Sequence, residues 1–123
     1  MSTGTVARRL IELCKAGQFD RALDELYAED ARSIEMEGSD SGAVGIAHGL
    51  AAIRRKGRLF EASCIEVHSV LVSDPLIAGP FFTIAMGVDA TYTDGARRAM
   101  KEVCVYEVRN DKIVREQFFY AAG

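Results

Sequence analysis

Apolar residues recur every three or four positions up to residue 63, and from Cys64 onward they recur every two. Residues 5–16 carry Val6, Leu10, Ile11, Leu13 and Cys14 at helical spacing, with Gly17 placed as a C-terminal stop. Phe19, Ala22, Leu23, Leu26 and Tyr27 mark a second short helix. Ala31 to Glu37 alternates apolar and polar side chains and predicts a short strand. The stretch 38–49 is rich in Gly, Ser and Asp and is expected to be a loop. Leu50, Ile53 and Phe60 line one face of a third helix, which leaves Arg54, Arg55 and Arg58 for solvent.

Residues 64–72, 80–93, 99–109 and 112–121 are rich in Val, Ile, Phe, Tyr and Thr, the composition of strands. Asp94-Gly95 and Asn110-Asp111 supply turns between the last three, which makes them consecutive hairpins. Three helices followed by a meander is an α+β pattern, with the helices on one face of the sheet. Both faces of the strands carry apolar residues, so the uncovered outer face is expected to receive a second subunit in a homodimer. No repeat, low-complexity tract or linker divides the chain, and a single domain over residues 1–123 is expected.

Composition narrows the function classes. A net charge of −3 argues against a nucleic-acid binder, which normally presents a strongly basic face. The three cysteines, Cys14, Cys64 and Cys104, lack CxxC spacing and read as reduced thiols rather than a disulfide framework. No apolar run approaches the ~20 residues of a membrane span, and no signal-peptide core is visible at the N-terminus. A cytoplasmic protein without membrane contact is the expectation. His48 and His68 have no HxH or HxxxH spacing, so neither a metal nor another cofactor is expected. Gly38, Gly42, Gly45 and Gly49 form no Walker or dinucleotide pattern and read as a flexible loop.

Several phrases resemble one superfamily. Tyr27-Ala28-Glu29-Asp30-Ala31 before a strand is similar to the phrase that ends its helical hairpin. His48-Gly49 with Ala52-Ile53 resembles the opening of its third helix. Val105-Tyr106-Glu107-Val108, a turn, then Lys112 to Tyr120 resembles its closing hairpin. By these phrases the chain resembles SnoaL-like proteins of the nuclear transport factor 2-like superfamily, which also has ketosteroid isomerase and cystatin-like members. The resemblance implies three N-terminal helices packed on a curved mixed, mainly antiparallel sheet, a cone around an internal pocket, and dimers. The superfamily includes isomerases, dehydratases, cyclases, hydrolases and binding modules, so fold alone assigns no activity.

Candidate chemistry follows from the resemblance and from face assignment. Glu35 occupies the position where ketosteroid isomerases and SnoaL-like cyclases keep a catalytic carboxylate. Beside an apolar cavity such a group would be desolvated and better poised to move a proton next to a carbonyl. The competing reading is a glutamate on the solvent side of a strand, paired with an arginine; alternation puts it opposite Ile34 and Met36 in either case. Ketosteroid isomerase, a worked example of carboxyl tuning, needs a tyrosine and a protonated aspartic acid as oxyanion donors. The resemblance puts Leu10 and Cys104 at those two positions, and loss of one such donor costs ~10²–10³ in rate. Steroid isomerisation is therefore excluded.

Period two places Glu102, Cys104 and Tyr106 on one face, and Glu116, Phe118 and Tyr120 on another single face. The resemblance assigns both sets to the cavity, where they would orient a ligand and where two close carboxyls would split into an acid and a base. The competing reading gives Glu102 and Glu116 rim ion pairs with Lys56 or Arg115. Lys56 is either a counter-charge for Glu35 or Glu116, or part of the solvated basic run 54–58. His68 is either a second acid–base group or a hydrogen-bonded strand residue. Ile84, Met86, Val88, Ala90 and Tyr92 share one face of the long strand and, in the implied fold, would line a site for a small apolar ligand. Acid–base proton transfer of the isomerase, dehydratase or cyclase type is one expectation; a non-catalytic ligand-binding or protein-interaction module is the other.

Overall fold

A computed structural model describes residues 2–36 and 45–121 of the chain. Helix α1 spans Thr3–Lys15, α2 Phe19–Leu26 and α3 Leu50–Ser63. The strands are β1 Tyr27–Ile34, β2 Ile46–His48, β3 Cys64–Val72, β4 Leu76–Ala78, β5 Phe81–Tyr92, β6 Arg97–Arg109 and β7 Lys112–Phe119. They form one curved sheet in the order β2-β1-β7-β6-β5-β3, with β4 paired to β5. Among the described residues, β1 and β7 alone run parallel and every other pair is antiparallel. The α+β class and the mixed, mainly antiparallel sheet are thus as the sequence predicts.

Local chemistry explains the boundaries. The Ser2 hydroxyl accepts from the Thr5 amide and caps α1. Gly17, at φ +71°, ends it, and the Gln18 amide returns to the Leu13 carbonyl at 2.9 Å. Asn110 and Asp111 both adopt left-handed backbone, at φ 51° and 65°, the geometry a two-residue hairpin between β6 and β7 demands.

Three features differ from the sequence reading. Strand β1 begins at Tyr27, four residues before Ala31, because Tyr27 is already extended and pairs with Ile113 of β7. The helical period of Leu23 and Leu26 had drawn it into α2. Strands β2 and β4 are three residues each, and neighbouring strands rather than local pattern define them. Arg54 does not face open water: it bonds Asp20 at 2.8 Å and Asp24 at 2.6 Å, tying α3 to α2. Of the glycine-rich loop, Gly38 and Gly42 lie outside the described residues, as does the predicted strand end at Glu37; Gly45 leads into β2 and Gly49 precedes α3.

The core lies between the helices and the inner sheet face. Helix α1 contributes Val6, Leu10, Leu13 and Cys14, and α3 contributes Ile53. From the sheet come Phe82, Ile84, Met86, Val88 and Ala90 of β5, with Cys104, Tyr106 and Val108 of β6. Each large aliphatic or aromatic side chain buried there stabilises the fold by about 1.5–3 kcal/mol. The opposite parity faces outward, and Leu71, Val103 and Phe119 are 71%, 43% and 43% exposed there.

Candidate functional site

Three carboxyls and one ammonium meet on the inner face. Glu35 follows β1 by one residue and shares the parity of Ala31 and Ser33, both fully buried, so alternation turns it inward. Its Oε2 accepts from Lys56 Nζ at 3.0 Å and its Oε1 from the Tyr120 hydroxyl at 3.2 Å. Lys56, half-buried on α3, also donates to Ser33 Oγ at 2.7 Å and lies 4.9 Å from the centre of the Phe118 ring. The inward reading of Lys56 is therefore the observed one, and its carboxylate partner is Glu35.

Glu116 is sealed deeper, at 5% exposure. The Tyr27 hydroxyl donates to its Oε1, and Ser33 supplies a further hydrogen bond. Burial raises the Glu116 carboxyl above its usual range, against the opposing pull of those two hydroxyls and of Lys56. Glu102 stands one residue beyond the last β6–β7 rung, Val103–Phe119, so β7 no longer flanks it. It is half-buried and pushed up to about 7, first by desolvation and then by the charge of Glu35. Among the described residues, the Cys104 thiol, a weak donor, bonds it at 3.7 Å. Neither Glu102 nor Glu116 forms the ion pair with Lys56 or Arg115 that the competing reading gave them; Arg115 bonds Gln117 instead.

The other candidates divide. Phe118, Tyr120 and Cys104 join the cluster, and Met86 sits across the β5–β6 rung from Glu102. Tyr106 is buried beneath it, stacked on Phe82 with ring centres 4.7 Å apart. Ile84 and Val88 are packed in the core. Tyr92 lies elsewhere, edge-on to Phe60 and under Arg98. His68 is away from the cluster too, bonded to Thr91 at 2.7 Å and to Glu66 at 3.1 Å on the sheet's outer side. Sequence reasoning missed Ser33 and Tyr27 as members. For Ser33 the signal was there, since it is two residues from Glu35 on the same strand face.

A concavity of about 420 Å³ is lined by outward-facing Leu71, Lys101, Val103 and Phe119, and by Glu102 and Tyr120 of the cluster. Among the described residues, no set of three His, Cys, Asp or Glu side chains is arranged to hold a metal ion. Among the same residues, no helix is long and apolar enough to cross a membrane.

A curved sheet with three helices over a polar inner cluster places the protein in the cystatin-like, nuclear transport factor 2-like class. The SnoaL-like domain family matches residues 1–120, and the chain belongs to it. A protein from Mesorhizobium loti, described as a SnoaL-like polyketide cyclase, is 32% identical with a TM-score of 0.89, covering 98% of this chain and 100% of that one. A nuclear transport factor 2-like protein of unknown function from Burkholderia pseudomallei is 20% identical with a TM-score of 0.81, over 98% and 92%. TerC, co-crystallised with polyporic acid, is 17% identical with a TM-score of 0.77, over 94% and 92%. No functionally curated protein matches the chain.

Proposed function

We propose that this protein binds a small, largely apolar carbonyl compound and moves a proton on and off the carbon beside the carbonyl, with Glu35 as the base. The observation that carries this reading is Glu35's geometry: a carboxylate turned inward and held by two donors, Lys56 and Tyr120, at the place where the resemblance implies a catalytic carboxylate. Fixing a base in one orientation removes much of the entropic cost of proton abstraction. Phe118, against which Lys56 lies, and Met86, opposite Glu102, are apolar and suit an apolar substrate body. The test is exchange of α-hydrogens for deuterium in heavy water, followed by NMR, on acetophenone, 1-tetralone and cyclohex-2-enone. The wild type accelerates exchange and Glu35→Gln slows it by about 10²–10⁴-fold. A wild type that accelerates exchange of none of them defeats this reading.

A second reading, sequestration without turnover, is favoured by Leu10 and Cys104, buried where the resemblance puts oxyanion donors. A tightly co-purifying ligand that the protein leaves chemically unchanged would select it. In either case we infer a homodimer across the outer sheet face. Val103 and Phe119 on adjacent β6 and β7, and Leu71 on β3 beyond β5, are apolar and exposed there, as a self-complementary interface requires. Light scattering on Val103→Arg is expected to give a monomer and on the wild type a dimer.

A further inference from the structure

The three carboxyls of the cluster have unequal numbers of donors. Glu35 accepts from an ammonium and a phenol, and Glu116 from a phenol and a serine hydroxyl. Glu102 accepts from one thiol, and it is also less enclosed than Glu116. One lysine serves all three. Its short contacts go to Glu35 and Ser33, so Glu102 faces the charge of Glu35 without a cation of its own.

We propose that Glu102 is the proton donor of this site, giving its hydrogen to the carbonyl oxygen of the compound whose carbon Glu35 deprotonates. The assignment rests on the proton-transfer reading above. Glu35 takes the α-hydrogen, and the C–H electron pair becomes the C=C bond of an enol. The carbonyl π pair moves to oxygen and takes the proton of Glu102, leaving Glu102 ionised and Glu35 neutral. The reverse step restores both groups, with the proton returned to the same carbon or to a conjugated one. No further reactant is needed. Glu102 thus supplies the acidic donor that Leu10 and Cys104 do not.

Every charged or titratable neighbour bears on this role. Glu35 beyond β1 and Glu116 on β7 disfavour the ionised form of Glu102, whereas Lys56 on α3 and Cys104 on β6 favour it. Cys14 on α1 is itself pushed up to about 12, so it stays a neutral thiol and adds no charge. Desolvation and the two carboxyls prevail, and the group titrates at about 7.

The experiment pairs the exchange assay with carboxyl ¹³C NMR titration. In the wild type the Glu102 resonance is expected to titrate near 7 and to move down in Glu35→Gln, which removes the neighbouring charge. Exchange in the wild type falls as pH rises through that midpoint. Glu102→Gln keeps shape and a hydrogen-bond donor but has no transferable proton, so exchange drops by about 10²-fold or more while saturation-transfer NMR still detects bound ketone. Exchange undiminished in Glu102→Gln, or a wild-type Glu102 midpoint in the ordinary carboxylate range near ~4.3, overturns the assignment and leaves Glu35 as base untouched. A wild type without exchange overturns the proton-transfer reading and this role with it.

Discussion

The two faces of the sheet carry the same kinds of ionisable side chain under opposite conditions. On the outer side Asp89 receives two hydrogen bonds from Arg97, at 3.0 and 2.9 Å. Arg97 pulls the Asp89 carboxyl below its usual range. On the inner side three glutamates share one lysine, and Glu102 and Glu116 are displaced upward. Carboxyl chemistry is nearly identical in both places. Cation count and access to water decide which groups are fixed as anions and which hold a proton. Perturbed carboxyls of the second kind mark the face where proton chemistry is feasible.

The largest effect that sharpens this contrast is loss of the inner cation. Lys56→Met leaves Glu35, 12% exposed, without its counter-charge. Removing one partner of a buried pair costs about 3–5 kcal/mol, and partial solvent access here brings the expectation to about 2–4 kcal/mol near pH 7.5. The loss should shrink as pH falls, because an unpaired buried carboxylate is relieved by taking up a proton. Urea unfolding midpoints from pH 4 to 9 measure it. A deficit that does not change with pH would mean that lost packing against Phe118, not charge, is responsible.

Glu102→Gln should act in the opposite direction. A carboxyl raised from 4.5 to about 7 binds its proton more tightly folded than unfolded. Between those values the folded state carries more protons, so stability from this group falls as pH rises. It is fully present below pH 4.5 and gone above about 7. The neutral amide escapes that penalty, and the variant should gain about 1–3 kcal/mol at pH 8–9 and nothing at pH 4. Matched urea titrations at the two pH values check it.

Tyr27→Phe removes the hydroxyl donated to buried Glu116 and should cost about 1–2 kcal/mol near neutral pH, read from the thermal or urea midpoint. A neutral variant would show that Ser33 alone satisfies the carboxyl.

How much of this was legible in the sequence depends on how local the cause is. Strand β3 spans 64–72 as its Val and Ile content predicts, and the Asn110-Asp111 turn falls where its residue types put it. Both are determined within a few residues. Strand β2 exists only because Arg32–Ile34 lies beside it, and no local pattern encodes that. At the site, period two gathered Glu102, Cys104 and Tyr106, and Glu116, Phe118 and Tyr120, on their respective faces. Which glutamate receives Lys56 depends on how α3 lies over the end of β1, a long-range fact. For His68, whose two readings were an acid–base group and a hydrogen-bonded strand residue, the face is likewise not encoded locally: bulges in β3 at Cys64–Glu66 and Val67–Ser69 shift which face each residue takes.

The smallest effect belongs to the outer face, and it is the sharpest test of the contrast. Arg97→Gln breaks a two-bond contact to Asp89 whose geometry is good, with Arg97 61% exposed. Water replaces the guanidinium at little cost, and salt screens what attraction there was. A carboxyl held low contributes stability above its unfolded value and loses it as pH drops through the folded one, so any deficit should appear at neutral pH and fade on acidification. That trend is the reverse of the one for Glu102. The expected neutral-pH change in unfolding midpoint is within the scatter between replicates, and raising NaCl should abolish what remains. An Arg97→Gln deficit as large as that of Lys56→Met, and insensitive to salt, would mean that the cover of the outer face extends over Arg97 and Asp89. The natural cover would be the second subunit proposed to seat on Leu71, Val103 and Phe119, and repeating the measurement on the monomeric Val103→Arg background would then return the deficit to near zero.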